Sequence, residues 1–217
     1  MSQHPFAFPF RKLPKTLPVF PLPGAVLMPG NDLPLNIFEP RYLNMVNDAL
    51  GSHRMIGMIQ PDPQSDDPDA LTQTGCAGRI TQYRETRDGR IEMVLSGVCR
   101  FDRGEEVATT RGYRLIVPDW HRFEADYEEE KTTPGQQTEM LRQTVKRYLD
   151  VNKLDVDWPL LERLSAVRLT NSLSMALPLS PPAKQQLLET IDPDERITAF
   201  IACLDSSPGM PGSGTRH

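Results

Sequence analysis

Three groupings of residues in this chain invite a chemical reading. The first is nucleophilic: Ser180 stands four residues before Lys184, and Gly212-Ser213-Gly214 has the outline of a nucleophile turn. A nucleophile elbow needs a strand before the serine and a helix after it, and the Gly- and Pro-rich run 206–217 predicts neither. Ser180 directly precedes Pro181, the arrangement of a helix cap followed by a first-turn proline. The second grouping is metal-binding. Zinc sites draw on closely spaced Cys and His ligands. Here Cys76, Cys99 and Cys203 lack CxxC spacing, and His4, His53, His121 and His217 lie far apart. No metal is expected, and Cys76 and Cys99 read as small buried apolar side chains. The Asp-rich stretch 61–74 lacks the alternating ligands and central glycine of a calcium loop, so it reads as a solvated loop. The third is phosphate. A phosphate-binding loop ends in Gly-Lys, and the chain has no such dipeptide, so no nucleotide or other cofactor is expected. Nothing in these residues argues for catalysis.

One basic feature remains. Arg79, Arg84, Arg87, Arg90, Arg100, Arg103, Arg111 and Arg114 fall within 36 residues, with Tyr83 and Tyr113 available for stacking. Six acids share that window and leave it a net charge of only +2. A solvated sheet face of mixed charge is the plainer reading, and an RNA-binding surface is the alternative.

The elements that must position these residues follow from composition and periodicity. The 217 residues carry a net charge of −5, which argues against a surface built throughout for nucleic acid. No apolar run reaches the ~18–20 residues of a membrane helix, and prolines interrupt the start where a signal peptide would be continuous. Free thiols without a disulfide pattern suggest a cytoplasmic protein. Nine of the 21 prolines precede residue 41 and argue against helix there. Short apolar and β-branched runs at 17–22, 33–38, 55–60, 76–83, 90–95 and 113–117 predict strands. Arg87-Asp88-Gly89 predicts a hairpin turn, and Ser96-Gly97 predicts a second turn into a strand at 98–101. One helix is expected from Pro40 to Gly51, with Tyr42, Met45, Val46 and Ala49 on one face.

Acids crowd 123–131, which reads as an extended linker between two subdomains at 15–122 and 132–205. Residues 1–14 are expected to be a flexible N-terminus, and 206–217 a disordered tail. Four amphipathic helices are expected in the second subdomain. One carries Leu141, Val145, Tyr148 and Leu149. The next runs from Leu160 toward Met175, a third follows Ser180, and the last carries Ile197, Phe200, Ile201 and Leu204.

Several motifs then line up in order. LPVFPL (17–22), Val26-Leu27-Met28-Pro29-Gly30, Leu33-Pro34-Leu35 and Ile37-Phe38-Glu39-Pro40-Arg41-Tyr42 are followed by Gly75-Cys76-Ala77-Gly78-Arg79-Ile80, Asp88-Gly89-Arg90 and Gly97 with Arg100-Phe101. The chain resembles the N-terminal substrate-binding domain of Lon proteases over about residues 15–205. The resemblance implies an α+β fold, with a PUA-like β-barrel subdomain carrying one helix and then a C-terminal helical bundle. It implies protein or peptide clients, and Lon or another protease or chaperone as partner. The sequence contains neither the ATPase nor the protease module of a full Lon, so the resemblance implies a stand-alone, non-enzymatic protein, a monomer or weak homodimer.

Within the motif, Glu39, Pro40 and Tyr42 read as structural. Glu39 suits the positive end of the helix, Arg41 pairs with it or with a loop carbonyl, and Phe38 and Tyr42 anchor the helix on the barrel. The functional reading takes Met28, Pro29, Leu33, Leu35, Phe38 and Arg41 as a protein-binding surface, mostly apolar, for exposed hydrophobic segments of clients.

Overall fold

The computed structural model describes residues 9–127 and 135–207. The chain divides into two compact units, 1–128 and 129–217.

In the first unit, six strands form one sheet in the order β2-β5-β4-β3-β1-β6, and β5 also pairs with β6, which rolls the sheet toward a barrel. The strands are β1 (Leu17–Pro21), β2 (Asp32–Ile37), β3 (Met55–Ile59), β4 (Thr74–Glu85), β5 (Ile91–Val107) and β6 (Arg114–Asp119). The sheet can close because β5 is long. Its first half pairs with β2 and β4, and its second half turns to β6. Leu17, Val19, Met55, Ile59, Phe101 and Ile116 form the dry centre, each almost fully buried. Helix α1 (Pro40–Leu50) lies against β1 and β3 with Tyr42, Met45, Val46 and Ala49 inward, the face expected from their spacing.

Two expectations fail here for reasons of packing. Gly97 does not turn the chain: β5 continues through it, with a register shift against β4 at its next residue. Its role is close approach. A Cβ there would sit 2.1 Å from the Met28 carbonyl oxygen, so only glycine lets the 28–30 segment cross this strand. Gly89 does sit in the hairpin turn, with φ +80°. The second failure concerns residues 123–127, expected as linker. They belong to a 3-10 segment, His121–Tyr127, with Phe123 fully buried. The Asp126 carboxylate takes hydrogen bonds from the Arg100 main-chain N–H at 2.9 Å and from its guanidinium at 2.6–3.1 Å. Both side chains are nearly dry, 2% and 6% exposed. One of the acids that suggested a solvated linker is therefore the partner of a buried arginine. Residues 128–131 of that stretch lie outside the described residues.

The N-terminal expectation also changes. Residues 9–14 are tied down: Trp120 donates its indole N–H to the Pro14 carbonyl at 3.2 Å, and the Phe10 ring meets Tyr127 edge-on at 5.5 Å. Residues 1–8 lie outside the described residues.

His53 follows the end of α1 and accepts the Met55 N–H at Nδ1, 3.2 Å away. Burial lowers its pKa, against a smaller opposing effect of a hydrogen bond with the Thr16 backbone. A histidine depressed in the fold favours the folded state above its unfolded value, near pH 6.5, and that contribution is lost as pH falls through the folded value. The urea midpoint of the wild type therefore drops more between pH 7.5 and pH 5 than that of His53→Gln. Equal drops would exclude His53 as the source.

The second unit is helical: α2 (Gln136–Val151), α3 (Trp158–Glu162), α4 (Ala166–Ala176), α5 (Pro181–Glu189) and α6 (Pro193–Asp205). Helix α6 packs against α2, α4 and α5, with Leu141, Val145, Leu169, Leu187, Phe200 and Leu204 buried. The single helix expected from Leu160 to Met175 is two. Ser165 Oγ accepts the Arg168 N–H at 3.1 Å and starts α4 afresh, which leaves Leu160 57% exposed. Ser180 caps α5, as its place before Pro181 suggests. Lys184 is buried and donates to the Met175 carbonyl at 2.9 Å, among the last carbonyls of α4. The tail expected at 206–217 begins as the end of α6, where the Ser206 N–H bonds the Ala202 carbonyl, and 208–217 lie outside the described residues. No helix among the described residues is long and apolar enough to cross a membrane.

Candidate functional site

The apolar motif residues lie on or beside an arm of the first unit. It is built from β2, the first part of β5 and the last part of β4, whose residues 81–85 are all exposed. Strand register sorts the side chains onto two faces. Leu33 pairs with Leu95 and through it with Ile80; Leu35 pairs with Met93 and through it with Tyr83. These share one face. Pro34, Val94 and Gln82 share the other, followed by Asn36, Glu92 and Arg84. A shallow groove of about 560 Å³ runs over the arm, lined by Pro34, Leu35, Asn36, Tyr83, Met93 and Val94 among others.

Of the expected binding residues, Phe38 is the most open of the apolar ones, 61% exposed, with the Arg90 guanidinium 5.6 Å from its ring centre. It does not anchor the helix, and that expectation is corrected: one residue past β2, the alternation turns it outward. Leu33, Leu35 and Pro29 are half-buried. Met28 is fully buried and leaves the proposed patch, because its backbone is drawn against Gly97.

Tyr42 does anchor α1. It is buried with its ring 4.4 Å from that of Phe20, and burial raises its pKa. Pro40 takes the first helical position. Arg41 bonds Glu39 at 3.0 Å and stacks over Tyr42 at 4.5 Å. Arg41 lines a separate pocket of about 220 Å³, together with Tyr113 and Arg114, which shares no lining residue with the arm groove. The structure thus puts Leu35 in the groove, Leu33 beside it on the same strand face, and Arg41 apart from both.

Tyr83, Met93 and Val94 also line the groove and were not among the expected residues; Met93 is itself buried. The signal was the alternation in residues 32–37, which makes β2 a strand with two distinct faces, but only the register names the neighbours.

The electrostatics of this unit are largely self-neutralising. Asp48 of α1 receives Arg111 at 3.0 Å and the Tyr113 hydroxyl at 2.9 Å. Slight burial pushes the Asp48 carboxyl up, but these hydrogen bonds outweigh it and hold its pKa below the usual value. Arg84, Arg90, Arg100 and Arg114 pair with Glu92, Asp88, Asp126 and Glu106. The arginine-rich window is therefore a lattice of ion pairs and not an open basic stripe. Burial raises the pKa of both Cys76 and Cys99, as expected of inert core thiols.

A barrel-like sheet with one helix, followed by a helical unit, is the architecture of solved Lon N-terminal domains. The chain superposes on a Lon N-terminal domain protein from Xanthomonas campestris with a TM-score of 0.63 at 23% identity, covering 90% of this chain and 99% of that one. It superposes on the N-terminal domain of a Lon protease from the Mycobacterium avium complex with a TM-score of 0.63 at 18% identity, covering 88% and 98%. Residues 16–206 match the substrate-binding domain of the ATP-dependent protease La (LON), and the chain belongs to that family. A Lon protease from Dictyoglomus thermophilum is 28% identical over 85% of this chain, and one from Roseiflexus castenholzii is 24% identical over 89%. Each match spans 24% of the relative's length.

Proposed function

We propose that this chain is a non-catalytic recognition module that binds apolar segments of unfolded or degron-bearing polypeptides in the cytoplasm, alone or docked on a protease or chaperone. The observation that supports this most is an exposed aromatic, Phe38, directly after a half-buried Leu33/Leu35 row, within a chain of a substrate-binding family. Such a surface holds client side chains by burying apolar area and needs no nucleotide. The partly open groove, with the exposed Tyr83 in its lining, suits loose, sequence-tolerant capture.

The test is a fluorescence anisotropy titration against fluorescein-labelled casein, an unfolded polypeptide, without ATP and at two salt concentrations. Saturable binding that survives salt is expected. A labelled RNA runs in parallel; affinity for RNA that collapses with salt, without casein binding, would overturn the reading.

A further inference from the structure

We infer that the outer edge of β2 is a docking edge on which an extended polypeptide adds itself as a further strand. This deepens the polypeptide-binding reading and rests on it. β2 ends the sheet, and among the described residues it pairs only with β5. The Gly97 N–H bonds the Asn31 carbonyl at 2.8 Å, so residue 31 faces β5. In an antiparallel pair the main-chain groups alternate sides, which points 33, 35 and 37 toward β5 and 32, 34 and 36 outward. Pro34, which has no N–H, stands at an outward position, where the ladder to β5 loses nothing.

The free edge therefore offers the carbonyls of Asp32, Pro34 and Asn36 and the N–H groups of Asp32 and Asn36. None of these has a partner among the described residues. An incoming strand can make every main-chain bond there except the one Pro34 cannot donate. Alternating groups at strand spacing are complementary to an extended backbone. The groove reaches this edge through Pro34, Leu35 and Asn36, and offers a seat for alternate apolar side chains of the bound segment.

Pro34 also selects the occupant. Two copies of this chain pairing their β2 edges about a central dyad would set one Pro34 against the other. Two carbonyls would then face each other without a donor. A client segment carries its own N–H at that position, so only one carbonyl is left without a donor instead of two. The proline thus discourages self-association at the edge while leaving it open to other chains.

The test compares Asn36→Pro with Asn36→Ala. Asn36→Pro removes an outward N–H that β5 does not use, as Pro34 already does naturally. Asn36→Ala changes the side chain alone. With labelled casein, Asn36→Pro is expected to bind about fivefold or more weakly than Asn36→Ala, the worth of one lost main-chain bond, since both variants lose the same side chain. Casein bound equally well by folded Asn36→Pro would overturn the inference and leave the polypeptide reading standing. A wild type that does not bind casein would overturn both.

Should Asn36→Pro fail to fold, wild-type protein is titrated with a casein-derived dodecapeptide N-methylated on alternate residues in either of two phases. One phase is expected to lose binding and the other to keep it. Equal behaviour of the two phases overturns the edge. A wild-type dimer that Asn36→Pro dissociates would assign the edge to a second copy, and would overturn it as well.

Discussion

Asp126→Ala is expected to lower the stability of the first unit by about 3–5 kcal/mol, the cost of breaking a buried ion pair by removing one member. Arg100 is 2% exposed, lies in the middle of β5, and stacks over Phe123 at 4.7 Å. Its guanidinium cannot reach water without opening the contact between β5 and the 121–127 segment. The Asp126 carboxylate, paired with it at 2.6 Å, helps that charge to stay inside. Removing the carboxylate also frees the segment that carries Phe123, so the loss includes apolar burial as well as electrostatics. The measurement is urea unfolding followed by Trp120 fluorescence in a Trp158→Phe background, which silences the second unit's tryptophan. The double replacement Arg100→Met with Asp126→Leu is expected to lose clearly less than Asp126→Ala, because the buried charge is removed together with its carboxylate. Equal losses would show that packing, not the ion pair, sets the stability here.

Phe38→Ala separates binding from folding. An exposed side chain contributes little to stability, so the urea midpoint should move by no more than about 0.5 kcal/mol equivalent. If Phe38 anchors client segments, casein affinity falls about tenfold, the loss expected of an aromatic hot spot worth about 1.4 kcal/mol. Met28→Asp is the contrasting variant: it places a charge in a fully buried position and is expected to unfold the unit. Leu33→Asp falls between, since Leu33 is half-buried, and is expected to reduce both stability and binding. Full casein affinity in folded Phe38→Ala would remove Phe38 from the binding surface.

Residue types and periodicity were enough to identify local structure. Pro40 at the first turn and the Tyr42–Ala49 stripe define α1, Gly89 defines a hairpin, and Ser180-Pro181 defines the start of α5. Each depends on chemistry within a few residues: a missing N–H, a positive φ, or a hydroxyl that accepts a main-chain donor. The motif series from LPVFPL to Arg100-Phe101 likewise pointed to the family, because it requires only order and identity along the chain.

What failed depended on partners far away in sequence. Gly97 looked like a turn because glycine serves both turns and close approaches, and only the crossing of Met28 decides between them. Asp126 looked like part of a solvated acidic run until Arg100, 26 residues earlier, appeared as its buried partner. The same holds for the surface. That 28–38 is apolar was determined by sequence, but which of its residues face out was decided by tertiary structure. Packing over Gly97 buries Met28, and the alternation of an edge strand turns Phe38 outward. Local geometry is set by bonds and sterics that neighbouring residues share, whereas exposure is set by whatever else the folded chain brings to the same place.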